Sequence, residues 1–242
     1  MNKKIHSSHV KKKYQHLFFD LDHTLWDFEA NSRQTLAELY EKFCLNSRGV
    51  DDFERFNTHY IAHNDKLWEK YRNGLIKVDE LRWKRMWLTL VEFKIADEPL
   101  SREMGMVFLD LLPTRKTLFP YTLEILEYLT DKGYALHLIT NGFEKTQHSK
   151  LQNSGLDKFF ITVITSEASN SLKPHKEIFD YALTKTGAKK EESIMLGDSL
   201  EVDILGAMNA GMDQVYVNHL RLEPTFKPTF TIYSLKDLET IF

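Results

Sequence analysis

Short hydrophobic runs alternate with longer amphipathic stretches along most of this chain. The short runs are rich in leucine, β-branched and aromatic residues, whereas the longer stretches show helical periodicity. Near-continuous hydrophobic strands that alternate with helices are typical of a parallel sheet covered by helices on both faces, so we predict an α/β fold. The predicted strands are residues 17–22, 135–140, 160–165, 193–197, 214–218 and, more weakly, 230–232. The predicted core helices are residues 122–131, 144–153, 175–186 and 200–210.

One long segment departs from this alternation. Residues 31–112 show helical periodicity alone, in four successive stretches, and they follow the first predicted strand directly. We therefore predict an inserted α-helical cap domain over residues 31–112. The catalytic core then consists of residues 14–30 and 113–242, and residues 1–13 form a flexible basic tail.

Composition and charge exclude several classes of protein. The 242 residues are 42% hydrophobic and 28% charged, which is typical of a folded globular chain. The net charge of −3 argues against the overall positive field of a nucleic-acid-binding protein. The single cysteine cannot form an intramolecular disulfide, and no hydrophobic run approaches the ~20 residues of a membrane span. We expect a cytoplasmic monomer or homodimer that binds neither nucleic acid nor membrane.

Two aspartates close the first predicted strand, in the segment Asp20-Leu21-Asp22-His23-Thr24-Leu25. Alternate residues of a strand face the same side, so we expect Asp20 and Asp22 to lie close together at its carboxyl end. Ligands of open α/β sheets bind beyond such strand ends. A pair of carboxylates can hold Mg²⁺, or divide into a nucleophile and an acid/base. Taken alone, the segment fits equally well with one aspartate capping a turn and the other being solvated.

Polar residues also follow the three later strands. The segment Thr140-Asn141-Gly142 supplies hydrogen-bond donors for an anion, and Lys173 supplies a compact positive charge. The segment Gly197-Asp198-Ser199-Leu200-Glu201-Val202-Asp203 adds two carboxylates, which are ligands for a hard cation. Each segment alone fits an ordinary turn, helix start or surface lysine. Together, at one edge of a parallel sheet, they predict a metal site beside an anion site, which suits phosphoryl transfer.

In this order and spacing, the segments resemble the motifs of the haloacid dehalogenase superfamily of aspartate-nucleophile hydrolases. The resemblance covers about residues 15–242 and implies a Rossmann-like core with an inserted helical cap. The presence of Asp22 favours a phosphatase, because the dehalogenases of the superfamily lack an acid there. The matching segments are Asp20 to Leu25, Thr140-Asn141-Gly142, Lys173-Pro174, and Gly197-Asp198-Ser199 followed by Asp203.

The resemblance also implies a role for each residue of the site. Asp20 attacks phosphorus and forms an aspartyl-phosphate, while Asp22 protonates the leaving oxygen and then activates water. Mg²⁺ is held by Asp20, the backbone carbonyl of Asp22, and Asp198. The phosphoryl oxygens are held by Thr140, Asn141 and Lys173. The supporting residues are Thr24, Gly142, Ser199 and Asp203.

Within the superfamily, the chain resembles the bacterial pyrimidine 5'-nucleotidases. The matching segments are Leu67-Trp68, Gly74-Leu75-Ile76, Leu81 with Arg85, Asn209-Ala210-Gly211 and Val217-Asn218. This implies a Mg²⁺-dependent phosphatase of small phosphorylated metabolites, with a nucleoside 5'-monophosphate as substrate. In the cap, Trp68, Tyr71 and Arg85 are candidate specificity residues, although aromatic stripes of this kind more often form a helical core.

Other functions stay open at this point. A sugar-phosphate or phosphoglycolate phosphatase of the same superfamily would carry the same motifs. A phospho-accepting signalling module also joins acidic residues, a hydroxyl and a lysine on an α/β sheet, but it has no inserted cap and would keep its aspartyl-phosphate without turnover. A catalytically idle binding protein is a third class, which the intact set of carboxylates and Lys173 argues against.

Overall fold

A six-stranded parallel sheet forms the centre of the computed structural model, which describes residues 13–242. The strands lie in the order β3-β2-β1-β4-β5-β6, and Phe19 of β1 is opposite both Leu138 of β2 and Leu196 of β4. Because the chain order reverses around β1, its carboxyl end is the point at which such sheets bind ligands. The strands are β1 (His16–Phe19), β2 (Ala135–Thr140), β3 (Thr162–Thr165), β4 (Ser193–Gly197), β5 (Asp213–Val217) and β6 (Phe230–Ile232).

Within the described part of the chain, four helices between β1 and β2 form the cap, and five helices belong to the core. The cap helices are α1 (Phe28–Lys42), α2 (Phe53–Arg72), α3 (Val78–Val91) and α4 (Glu98–Leu111). The core helices are α5 (Thr122–Asp131), α6 (Glu144–Ser154), α7 (Ser166–Ser169), α8 (Lys176–Thr186) and α9 (Leu205–Ala210), with a π-helical turn at Leu200–Ile204. Short 3₁₀ turns lie at Asn46–Arg48, Leu112–Thr114, Asp157–Phe159, Lys190–Glu192 and Leu235–Thr240.

Side chains of the central strands alternate between the two faces of the sheet. Leu17 and Phe19 of β1 pack into the larger hydrophobic cluster, which also contains residues of α5 and α6. Phe18 packs on the opposite face, against Phe179 of α8 and Ala207 of α9. The two-residue period therefore buries the strands on both sides, which confirms the predicted fold class.

Three of the four cap helices begin after an aspartate that accepts hydrogen bonds from their first backbone N–H groups. The carboxylates of Asp27, Asp52 and Asp97 accept backbone hydrogen bonds at the starts of α1, α2 and α4. One hydrophobic cluster then runs from Phe19 in the sheet to Phe108 in α4. This cluster joins the cap to the core and so does not itself mark a domain boundary. The predicted division into separate domains at residues 31–112 stays a prediction.

The first strand is shorter than the sequence predicts. Asp20 still donates its N–H to the carbonyl of Leu196 (2.8 Å), but the chain then turns. The N–H groups of Leu25 and Trp26 both donate to the carbonyl of Leu21, so Asp20 and Asp22 lie in the turn after β1 and not at the end of a strand.

The ends of the described segment bear on two further expectations. Residues 1–12 of the predicted tail lie outside the described residues, while Lys13 forms an ion pair with Asp213 (2.8 Å). Within residues 13–242, no helix has both the length and the apolar character needed to cross a membrane.

Candidate active site

The carboxyl ends of β1, β2 and β4 open into a cavity of about 250 Å³ between core and cap. It brings together the core site residues predicted from the sequence, except Thr24, whose hydroxyl donates to Asp198 Oδ1 (2.9 Å) behind the cavity wall. These core residues are Asp20, Asp22, Thr140, Asn141, Gly142, Lys173, Asp198, Ser199 and Asp203.

Lys173 joins two of the carboxylates. Its Nζ contacts Asp20 Oδ1 (2.6 Å) and Asp203 Oδ1 (2.7 Å), and it donates to the carbonyl of Ile139 (2.7 Å). The lysine side chain is buried, and although burial alone would lower its pKa, Asp20 and Asp203 hold the pKa of Lys173 above its ordinary value. An ammonium group has three donors, so Lys173 must release one partner to reach a phosphoryl oxygen. Its predicted contact with phosphate stays a prediction.

Three carboxylates crowd together at the same place. Oxygens of Asp20, Asp198 and Asp203 lie within 4.8 Å of one another. Burial raises the pKa of Asp20 to about 8, with Asp203 and Asp198 adding to the shift and Lys173 opposing it. Burial, followed by the charge of Asp203, raises the pKa of Asp198 to about 7. A cluster of hard oxygen ligands that repel one another fits a divalent cation such as Mg²⁺, whose charge would remove that repulsion.

Two glycines allow these groups to approach closely. A Cβ on Gly197 would overlap the carboxylate of Asp203, and a Cβ on Gly142 would overlap the side-chain amide of Gln147. Asp203 Oδ2 also accepts the N–H of Ser199 (3.1 Å), which fixes the loop that carries Asp198. Gly142, Ser199 and Asp203 thus shape the site through close contacts and a hydrogen bond, and their supporting roles in the reaction stay predictions.

The hydroxyl of Thr140 accepts two hydrogen bonds from the protein. Its Oγ1 accepts the N–H of Gly142 (3.1 Å) and the side-chain amide of Gln147 (2.6 Å). A hydroxyl has two acceptor positions and one donor, and both acceptor positions are used here. The hydrogen of Thr140 is therefore left to donate in the cavity, which suits an anion such as phosphate.

The side chain of Asn141 holds a loop. Its Nδ2 donates to the carbonyl of Lys173 (2.8 Å), and its Oδ1 accepts the N–H of Lys173 (2.7 Å). Only the second N–H of this amide is left for a phosphoryl oxygen, so the main observed contact of Asn141 positions Lys173. The predicted direct binding of phosphate by Asn141 stays a prediction.

Asp22 lies in contact with two residues that the sequence analysis did not single out. Lys150 Nζ is 2.6 Å from Asp22 Oδ1, and Gln147 Nε2 donates to Asp22 Oδ2 (2.9 Å). The carboxylate of Asp22 thus contacts α6 and is not part of the three-carboxylate cluster, although it lines the same cavity. Gln147 and Lys150 are three residues apart on α6 and share one helix face, a spacing that the sequence does show.

One face of α2 forms the cap side of the cavity, with Asn64, Asp65, Trp68 and Arg72. Of the predicted cap residues, Trp68 lines the cavity and stacks on Phe143 of the core, with 5.7 Å between the ring centroids. The other two lie behind this wall. Tyr71 packs edge-on against Trp68, and Arg85 is buried in the cap, where it donates to Asn64 Oδ1 (3.1 Å).

Comparison with known proteins agrees with this geometry. Residues 14–211 match the family model of haloacid dehalogenase-like hydrolases. The chain belongs to this family. The predicted class of enzyme, a phosphoric monoester hydrolase of the haloacid dehalogenase type, is confirmed.

Its relatives include several phosphatases. The chain is 33% identical over 236 residues to the pyrimidine 5'-nucleotidase YjjG of Escherichia coli, covering 95% of this chain and 98% of that one. It is 31% identical over 228 residues to the pyrimidine 5'-nucleotidase PynA of Streptococcus pneumoniae, covering 93% of both. A glyceraldehyde 3-phosphate phosphatase of Methanothermobacter thermautotrophicus is 32% identical over 209 residues, or 84% of each chain.

A crystal structure of YfnB from Bacillus subtilis bound to magnesium has a similar fold. Its TM-score is 0.85 at 28% identity, covering 95% of this chain and 99% of that one. The helical cap and the parallel core are therefore common to this chain and a magnesium-bound member of the family.

Proposed function

We propose that this chain is a Mg²⁺-dependent phosphatase that hydrolyses nucleoside 5'-monophosphates through an aspartyl-phosphate on Asp20. The observation that carries the proposal is the position of Asp20 in the turn after β1: its carboxylate contacts Lys173 (2.6 Å) and shares a cavity with the hydroxyl donor of Thr140. A nucleophile, a positive charge and an anion donor thus meet at one point.

The residues divide the reaction into two steps. In the first, a carboxylate oxygen of Asp20 attacks phosphorus, the bond to the ester oxygen breaks, and Asp22 gives that oxygen a proton. In the second, Asp22 takes a proton from water, whose oxygen attacks phosphorus, so that phosphate leaves and Asp20 is restored. Lys173 and Thr140 reduce the repulsion between Asp20 and the phosphate dianion throughout.

The cation site has the ligands that the chemistry needs. Asp20, Asp198 and the backbone carbonyl of Asp22 would hold Mg²⁺, and Asp203 would support them. When bound, Mg²⁺ supplies positive charge beside the phosphoryl group. The three-carboxylate cluster supports this assignment, because Lys173 contacts it with only one positive charge against three carboxylates.

A nucleoside is the leaving group that the cap favours. Trp68 offers an indole surface at the cavity, and aromatic faces bind planar rings by stacking. The two pyrimidine 5'-nucleotidase relatives support the same substrate class. The glyceraldehyde 3-phosphate phosphatase relative makes a sugar-phosphate the second candidate.

A panel of phosphate esters tests the proposal. Purified protein with Mg²⁺ is assayed with pyrimidine and purine 5'-monophosphates, glyceraldehyde 3-phosphate, phosphoglycolate and p-nitrophenyl phosphate. We expect the highest kcat/KM for a nucleoside 5'-monophosphate, with loss of activity in EDTA and recovery on addition of Mg²⁺. A higher kcat/KM for a sugar-phosphate would support the second candidate and contradict the first.

A further inference from the structure

A second, much smaller cavity of about 40 Å³ adjoins the main one inside the cap. It shares His23, Phe28, Asn64 and Asp65 with the main cavity, and continues along α2 towards its N-terminus. We call it the cap chamber and define it by Ser32, Asn57, Tyr60 and Asn64. By the space that a buried water needs, it has room for roughly three water molecules or the edge of a small ring.

Three residues that line the cap chamber carry a side-chain oxygen without a hydrogen-bond partner in the described part of the chain. Ser32 Oγ, Asn57 Oδ1 and Tyr60 OH are buried and have no hydrogen-bond partner among residues 13–242. Ser32 is 3% exposed and Tyr60 is fully buried. An unpaired buried polar group costs about 1–3 kcal/mol, so three of them around one space are unfavourable unless something polar fills it.

We propose that the cap chamber binds the polar edge of the substrate's leaving group, which is the alternating carbonyl and N–H edge of a pyrimidine base. The hydroxyls of Ser32 and Tyr60 can donate to ring carbonyls, and the carbonyl oxygen of Asn57 can accept a ring N–H. Arg85 donates to Asn64 Oδ1 from behind and so fixes the amide between the two cavities. This inference rests on the proposed function and specifies the base.

Removal of single hydroxyl groups tests whether the cap chamber binds the base. Tyr60→Phe and Ser32→Ala are compared with the unaltered protein, using uridine 5'-monophosphate and p-nitrophenyl phosphate, which has no such edge. For each variant we expect the ratio of kcat/KM for the nucleotide to kcat/KM for p-nitrophenyl phosphate to fall about tenfold, the effect of one hydrogen bond. Tyr40→Phe is the matched control, because Tyr40 is a buried cap tyrosine that donates to the carbonyl of Val50, and its ratio should stay unchanged.

The possible outcomes separate this inference from the function on which it rests. If the unaltered protein prefers nucleotides but the ratio is unchanged in both variants, the chamber holds only water and the inference is wrong. If the unaltered protein hydrolyses no nucleotide, the proposed function is wrong, and the inference that rests on it is wrong as well. Thermal unfolding controls for folding: Tyr60→Phe keeps the ring that packs on Phe108 (5.3 Å) and should melt no lower than the unaltered protein.

A second inference comes from the contacts of Asp22. Lys150 is 3% exposed, its Nζ lies 4.3 Å from the ring centroid of Trp26, and it does not line the main cavity. Gln147 donates both to Asp22 and to Thr140, and so links the acid/base to the phosphate-binding hydroxyl. We infer that Lys150 and Gln147 are positioning residues that hold one oxygen each of Asp22.

The leaving group reveals whether Lys150 acts through Asp22. Cleavage of a nucleotide releases an alkoxide that needs a proton, whereas p-nitrophenolate leaves without one. In Lys150→Met, we expect the rate of the first turnover to fall by roughly tenfold or more with uridine 5'-monophosphate, and to change little with p-nitrophenyl phosphate. Asp22→Asn should show the same split more strongly, and Lys150→Arg should restore part of the loss.

A purely structural role would lower both first-turnover rates equally, and that result would overturn the inference. The matched control is Lys145→Met, because Lys145 is an exposed lysine on the same helix and lies outside the main cavity. It should leave both rates unchanged. Equal rates in Lys150→Met and the unaltered protein with both substrates would also contradict the inference.

Discussion

At the scale of single residues, the site holds more buried negative charge than positive charge. Asp20, Asp198 and Asp203 supply three carboxylates, while Lys173 is the one cation in direct contact with that cluster among the described residues. Burial, to which the charge of neighbouring aspartates adds, raises the pKa values of Asp20 and Asp198 well above that of an ordinary aspartate. A divalent cation would return both groups to their ionised forms.

This imbalance predicts how the metal-free protein responds to pH. In the folded protein, burial and the neighbouring aspartates raise the pKa of Asp20 to about 8 and that of Asp198 to about 7, whereas in the unfolded chain both carboxyls return to a pKa of 3.8. The stabilising contribution is therefore complete below pH 3.8 and is lost as the pH rises towards 8. From these two groups, we expect the melting temperature in EDTA to fall between pH 5 and pH 8, and Mg²⁺ to raise it more at pH 8 than at pH 5.

Asp198→Asn is the control for the pH prediction, because it removes one of the titrating groups. Its melting temperature in EDTA should depend less on pH over the same interval. A melting temperature of the unaltered protein that is flat or rises with pH in EDTA, with an equal effect of Mg²⁺ at both pH values, would contradict the assignment of the cation site.

At the scale of elements, the geometry depends on how closely strand ends and loops approach. Gly197 ends β4 where the carboxylate of Asp203 folds back over it. We expect Gly197→Ala to lower the free energy of unfolding by about 1–3 kcal/mol, because the new methyl group overlaps a buried carboxylate. Urea unfolding measures the effect, and a variant as stable as the unaltered protein would show that this approach is not constrained.

The sequence predicts the elements well because their periodicities are local. The runs at 135–140 and 193–197 became β2 and β4 with the expected bounds, and the strand ends met as parallel topology requires. The contacts of Asp22 were not predictable in this way. They depend on the turn that follows β1 and on the face of α6 that meets it, and both follow from tertiary packing.

The cap shows the same limit. Four amphipathic helices follow from the spacing of hydrophobic residues, and Trp68 does face the cavity. Arg85, in contrast, lies behind Asn64, because the rotation of α3 about its axis decides which polar residue reaches the cavity. Periodicity distinguishes the buried face of a helix from its exposed face, but it does not tell a functional polar residue from a structural one.

At the scale of the whole molecule, the cap forms one wall of the active-site cavity and the core forms the rest. Trp68 joins the two parts by stacking on Phe143. We expect Trp68→Ala to raise the KM for uridine 5'-monophosphate by about tenfold with a smaller change in kcat, because stacking binds the base and not the reacting phosphate. Steady-state kinetics measure both parameters.

Trp83→Ala is the matched control for the stacking prediction. Trp83 is also a cap tryptophan, but it packs against Trp87 and does not line the cavity. Its KM should stay close to that of the unaltered protein. A similar rise in KM for both variants would mean that Trp68 stabilises the cap and does not contact the base.

The most direct test of the account is to trap the covalent intermediate. The protein is mixed with Mg²⁺ and a good phosphate ester, quenched in acid during turnover, and digested for peptide mass spectrometry after borohydride reduction. We predict that the modified residue is Asp20, and that Asp20→Asn gives neither the modification nor turnover while melting as a folded protein. Turnover that persists in Asp20→Asn, or a modification at another residue, would contradict the account.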